Sequence, residues 1–285
     1  GAIFGMAYFG VMALAGVFML LRVAAIDNEG DENADQLRGT VAHLSRMMAG
    51  SALVLIGGFV PDDIRPWFWV AAVVVNLLGA ATAGEYEYEL NASHFAERHG
   101  LFVIIVLGEA LIAIGVGVVG QSGSMAFYVA GTAMLLTVLA MWWSYFDWLR
   151  PIGEGALKAA TGLDRGRLAR DAYTLAHYPL VAGVILFAVG TEELLAHPDV
   201  ALEGSFRWAF VGGLMLFLTA QSIMARRLAG ALTWERFVLV GLLGVAGVVL
   251  GDLNGAVLGA VVCTVLIATL GVETARHRED LSRIR

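Results

Sequence analysis

A chain of 285 residues that is 59% hydrophobic and only 15% charged, with a mean hydropathy of +0.75, falls outside the range of soluble domains, where charged residues run at about 25%. Composition therefore excludes an ordinary soluble fold and predicts an all-α, polytopic helical membrane protein that meets the lipid bilayer. The net charge of -7 carries no argument for nucleic acid, because a membrane divides the charges between two sides.

Nine apolar runs follow one another: 2–21, 41–60, 67–84, 101–119, 125–146, 173–190, 206–225, 237–250 and 255–271, the eighth being short. A bilayer core needs about 20 apolar residues per helix, so each is a candidate span. The polar segments between them read as loops. Asp27–Arg38 is acidic, Glu85–Arg98 carries Glu-Tyr-Glu-Tyr-Glu, and Pro151–Arg170 is Gly-rich and basic. Asn91-Ala92-Ser93 fits a glycosylation sequon, but Ser93 is better read as the cap of a short interfacial helix ahead of a fourth span that starts at Gly100.

Basic residues set the orientation, since cytoplasmic loops carry them in excess. With the N-terminus outside, every Lys and Arg except Arg65 and Arg207 falls on the inner side. The outer loops hold Asp62, Asp63, Glu192, Glu193, Asp199, Glu203 and Asp252 instead. This predicts a multi-pass membrane protein with its C-terminus on the cytoplasmic side. The chain opens with Gly1, not Met, and enters an apolar run without a charged leader, so a missing upstream part is expected. The single Cys263 excludes an internal disulfide framework.

A weak repeat is visible. The first three runs resemble the last three in plan: a helix ending in Arg22 or Arg226-Arg227, a Gly-rich helix, and a helix ending at Glu85 or Glu273. Residues 1–93 would then be the last three helices of an incomplete first half, and residues 94–285 a complete six-helix second half of a parallel 6+6 repeat.

Glu109 leads the candidate ion or solute pathway. It stands eleven residues past Arg98, roughly 16 Å of helical rise and near the middle of the hydrocarbon core, where a carboxyl costs roughly 3 kcal/mol. Ala113 and Gly117 extend its face as a stripe of small residues. It is expected to face the protein interior, either as an ion or proton site or as a hydrogen-bonded packing group. His177, close to Pro179, Asp147 and Gln221 are further pathway candidates. Asp147 and Arg150, three apart, can pair. Asn76 and Gln221 also have the plainer reading of polar groups bridging two helices.

His94, Glu97, Arg98 and His99 form a cytoplasmic interfacial cluster. His94, Glu97 and His99 are metal-ligand types, but a fifth residue on leaves the shared helical face, so no metal site is assigned. No cofactor is implied. Lys158 is the only lysine and stands in a polar segment, which excludes a retinal Schiff base on this chain. No phosphate loop, zinc helix or nucleophile elbow occurs, so there is no catalytic set and no positive case for an enzyme.

The run Ala96-Glu97-Arg98-His99-Gly100-Leu101-Phe102-Val103-Ile104-Ile105-Val106-Leu107-Gly108-Glu109 resembles the signature of the bacterial low temperature requirement A (LtrA) family. Trp142-Trp143-Ser144-Tyr145-Phe146-Asp147 is similar to the family's next helix. His177-Tyr178-Pro179-Leu180-Val181-Ala182-Gly183 with Gly190-Thr191-Glu192 is similar to the one after. The resemblance implies a multi-pass protein of the bacterial cytoplasmic (inner) membrane whose family name records a growth phenotype, with no agreed substrate. It also implies an amino-terminal Glu-Leu-Phe-Phe-Asp-Leu-Val-Phe-Val helix and two further helices, which this chain lacks. The functional expectation is a transporter or channel for a small solute or ion. A membrane scaffold or stress-tolerance factor and a membrane enzyme on a lipid-like substrate are the alternatives. An oligomer is compatible with either of the first two.

Overall fold

The computed structural model describes residues 1–24, 31–81, 91–119, 123–230 and 234–276. The Glu-Tyr-Glu-Tyr-Glu segment, residues 27–30 and Arg278, Arg283 and Arg285 lie outside them. The described residues are helical throughout, apart from turns and one isolated bridge between Ala201 and Asn254. The all-α, polytopic class expected from composition is what the chain adopts. Six helical stretches are long and apolar enough to cross a membrane, and Leu44–Phe59 and Arg65–Ala81 are shorter apolar helices.

The chain divides into two units, 1–89 and 90–285. The first holds α1 (Ala2–Ala24), α2 (Asp31–Phe59) and α3 (Arg65–Ala81), with α2 packed on both neighbours. Asp31–Arg38, expected as loop, is instead the start of α2. Asn76 of α3 packs against Gly50 of α2, a bridging role between helices.

The second unit begins with α4 (Ala92–Gly117). Its cap is Asn91, not Ser93: the Asn91 side chain accepts from the His94 amide at 3.2 Å. No break occurs at Gly100, so the interfacial helix and the span are one rod. The next two rods are longer than their apolar runs. The first comprises α5 (Met125–Trp143), a π-helical segment Ser144–Leu149 and α6 (Arg150–Ala159). The second comprises α7 (Gly162–Leu168), a π-helical segment Ala169–Leu175 and α8 (Ala176–Ala196). Only Ala160 and Thr161 separate them, and Gly162 takes φ +52 to turn the chain. Pro151–Arg170 is therefore a helical hairpin, not a loop. It holds together because Leu157 and Leu168 bury against Ala96, Ala172 and Tyr173.

The two π segments share a cause. A proline ring clashes with the carbonyl four residues back and offers no N–H to it. For Pro151 that carbonyl belongs to Asp147, and for Pro179 to Leu175. Each carbonyl falls inside a π segment, whose wider turn accommodates the clash. The bonds skip accordingly: Arg150 N–H reaches the Tyr145 carbonyl and Ala176 N–H the Asp171 carbonyl.

Three more rods complete the unit: α9 (Gly204–Ala229), α10 (Trp234–Val249) and α11 (Gly255–Arg276). Gly230, at φ +65, ends α9 with a left-handed cap. Helices α8 and α9 pack backbone to backbone: a methyl at Gly183 would come within 2.6 Å of the Gly213 carbonyl oxygen. Small residues allow that approach, which dispersion then stabilises. Around it lie Phe187, Phe210, Phe217 and Met134, all buried. The perimeter carries exposed Ile105, Ile112, Leu135, Leu139, Val189, Val245 and Val248, an apolar coat suited to lipid.

Candidate functional site

Arg236, in the first turn of α10, continues the buried stripe of Leu239 and Leu243, and Glu273, in the last turn of α11, continues that of Leu266 and Leu270. Their side chains are 1% and 4% exposed, and Arg236 Nε lies 2.9 and 3.0 Å from the two Glu273 carboxyl oxygens. Arg236 Nη1 donates to Gln221 Oε1. Gln221 Nε2 donates to Ser144 Oγ at 3.1 Å, and Ser144 donates to the Met141 carbonyl at 2.8 Å. The guanidinium also lies over the Trp148 ring, 4.5 Å from its centroid. Four elements, α9, α10, α11 and the first π segment, are tied together by polar groups sealed from solvent.

A second pair crosses the same helix contact in the opposite sense. Arg276 of α11 donates to Glu235 of α10 at 3.2 Å and lies over Trp234 at 5.1 Å. Glu235 is buried, while Arg276 reaches solvent. Each helix thus contributes one acid and one base, and each arginine packs on a tryptophan. A narrow cleft, with room for about one water-sized group, runs along the first pair, lined by Trp143, Asp147, Trp148, Arg236, Glu273 and Thr274 among others.

A separate polar pair lies between the π segments. The Tyr145 hydroxyl is 2.9 Å from His177 Nε2, and His177 Nδ1 is 3.3 Å from the Ala172 carbonyl oxygen. A carbonyl only accepts, so Nδ1 carries the hydrogen; with the ring neutral, Nε2 accepts from Tyr145. The rings of Tyr173 and His99 pack on His177 at 5.7 and 5.0 Å.

Of the pathway candidates, three border these networks. Gln221 is fully buried and holds Arg236. Asp147 lines the cleft and accepts from Trp143 Nε1 at 3.1 Å. His177 is buried with Tyr145.

Glu109 lies apart from these networks. It stands on the exposed side of α4, while Val106, Ala110, Ala113 and Gly117 face the core. Successive residues are about 100° apart, which leaves Glu109 on the flank of the buried stripe and off the Ala113–Gly117 line. The interfacial cluster also separates. His94 and Glu97 are exposed, 3.7 Å apart, and Arg98 is exposed. His99 instead turns inward, donating from Nδ1 to the Phe95 carbonyl at 2.9 Å. Among the described residues no group of three or more His, Cys, Asp or Glu could hold a metal ion.

Arg236 and Glu273 are the residues that sequence reasoning missed. Arg236 counts there only as one of the inner basic charges and Glu273 as the end of a helix. The signal was available: each occupies a helical position that its apolar stripe reserves for the interior, three residues from a buried leucine.

Apolar rods, an apolar perimeter and an ionic network closed inside them define an integral, multi-pass helical membrane protein. The chain matches the model of the bacterial low temperature requirement A protein (LtrA) family over residues 1–271, and it belongs to that family. It is 30% identical over 189 residues to uncharacterized protein RA0937 of Rhizobium meliloti (strain 1021). That match covers 62% of this chain and 45% of the relative, so the chain spans less than half of the relative's length. No solved structure matches it.

Proposed function

We propose that this chain is part of a transporter or channel for a small solute or ion, and that its polar path starts at the cleft between Trp148 and the Arg236–Glu273 pair. The supporting observation is an arginine, 1% exposed, bonded to a carboxylate and an amide within apolar helices. Ionisable groups at such positions are costly to bury and recur along substrate and ion pathways. The cleft adds Asp147, a second acid beside the same tryptophan. The charge asymmetry of the loops goes with a bacterial inner membrane and an inside C-terminus, and the six rods of residues 94–285 with one half of a 6+6 arrangement.

The test is reconstitution of the full-length protein in proteoliposomes, followed by flux of protons, alkali cations, halides and small organic anions. The reading expects flux of at least one of these in wild type and its loss in Glu273→Gln with the helical content kept. A purely scaffolding protein passes none of them, and there Glu273→Gln alters stability alone. Absence of any flux in wild type rejects the transport reading.

A further inference from the structure

We propose that the turn of α6 from Arg150 to Gly153 carries a binding site for a phosphate-type oxyanion, held by the Arg150 guanidinium and the Tyr173 hydroxyl. The site is distinct from the Arg236 cleft and does not depend on transport.

Two donors there lack an acceptor. Arg150 Nε is shut off from solvent with no hydrogen-bond partner, and among the described residues no ion pair includes Arg150. The nearby arginines are placed differently: Arg170 and Arg227 share Asp171, and Arg165 donates to the Ala160 carbonyl. The second donor is the hydroxyl of Tyr173, a residue 3% exposed, which is also buried without a partner.

The two groups meet on one face. Arg150 and Gly153 are three apart on α6 and so lie one above the other. The Tyr173 phenol is seated against Gly153, where a methyl group would come within 3.2 Å of its Cζ. The Arg150 stem runs past Gly100 of α4, with Cδ and Nε 3.7 Å from where a methyl would stand. Gly153 thus seats the phenol on the helix face that Arg150 shares, and Gly100 gives the Arg150 stem room to pass α4.

Their chemistry selects the ligand. A guanidinium has five N–H donors and no acceptor, and a phenol donates one more. A cation with buried donors is matched by an oxygen anion, and planar guanidinium forks favour phosphate and carboxylate geometry. Glu154, one turn on from Arg150, is engaged by Lys158 at 2.7 Å. The position lies where the spans reach the predicted inner surface, the level of lipid headgroup phosphates and of soluble phosphate alike.

The experiment measures thermal unfolding of the purified, delipidated full chain in detergent. Inorganic phosphate, short-chain phosphatidylglycerol and, as an ionic-strength control, chloride are titrated separately. A rise in Tm with phosphate or phosphatidylglycerol beyond the chloride control is expected. The half-effect concentration should move up about tenfold in Arg150→Gln and in Tyr173→Phe, the loss of about one charged hydrogen bond. A response to phosphatidylglycerol alone assigns the headgroup as source; a response to phosphate assigns a soluble anion. No response in wild type, or one unchanged in both variants, overturns the proposal. If Arg150→Gln does not fold, Tyr173→Phe, which removes one oxygen, decides alone.

Discussion

Ser144 and Tyr145 are neighbours in sequence but belong to different buried polar clusters: Ser144 Oγ accepts from Gln221 at 3.1 Å, and the Tyr145 hydroxyl lies 2.9 Å from His177 Nε2. Consecutive residues on a helix diverge by about 100°, so they can serve two partners only where helices pack on both sides. The first π segment begins at this pair. Single π turns inside α-helices recur at functional positions. Here the segment joins the Arg236 network to the Tyr145–His177 pair, and a shift of one would be felt at the other through adjacent backbone.

Tyr145→Phe removes the donor to His177 and leaves a buried ring nitrogen without a partner. A loss of about 1–3 kcal/mol is expected. Thermal unfolding in detergent measures it, with His177→Phe paired to Tyr145→Phe as a double-mutant cycle. If the double variant loses as much as the sum of the singles, the two side chains are not coupled.

Removing one member of the Arg236–Glu273 pair strands the other charge in an apolar surround. Arg236→Met or Glu273→Leu should each cost about 3–5 kcal/mol, while the double replacement should recover much of that. Gln221→Leu removes the amide that holds Arg236 and should cost less, because Glu273 and Trp148 remain. A double variant worse than either single would show that the network stabilises the bundle beyond its internal pairing.

The class of fold was legible because it depends on composition and run length, which survive every local error. Helix ends were less so. Pro151 and Pro179 look like breaks, yet π turns carry the chain past them, and Pro151–Arg170 became a hairpin of helices. The site was half legible. Gln221 and Asp147 stand out as polar residues near or inside apolar runs. Arg236 and Glu273 hide at run ends, where a charge is usually solvated, and only the partner helix shows which way they point. The direction of Glu109 was hidden for the converse reason: depth along a helix is readable, but direction around it depends on which neighbours pack.

The α8–α9 contact gives a steric prediction. Gly213→Leu would force side-chain atoms into the backbone of α8 near Phe187 and should cost more than the usual 1–3 kcal/mol of overpacking. Gly108→Ala, on α4 with nothing within 4 Å, should be neutral or stabilising by up to about 1 kcal/mol. Expression yield and unfolding midpoint of the two variants separate them. Equal tolerance of both would mean that α8 and α9 do not pack backbone to backbone.

Topology is open to chemistry. In a Cys263→Ala background, a cysteine at Asp199, exposed between α8 and α9, should react with a membrane-impermeant maleimide on intact cells. One at Arg165, in α7 at the other end of the rod, should react only after permeabilisation. The reverse pattern turns the whole chain over and moves the Arg236 network to the outer leaflet.

Glu109 supplies the last test, and its outcome separates two surroundings. On an exposed face among Phe102, Ile105, Ile112 and Val116, its carboxyl makes no contribution to packing within residues 90–285. Glu109→Gln and Glu109→Leu should therefore leave the unfolding midpoint of this chain within about 0.5 kcal/mol of wild type, the range of ordinary surface changes. Glu109→Leu should even favour membrane insertion, since it removes a group that costs roughly 3 kcal/mol at the core of a bilayer. A drop comparable to that of Glu273→Leu would contradict the exposed placement. It would mean that further protein covers this face of α4 and that the carboxyl has a partner there.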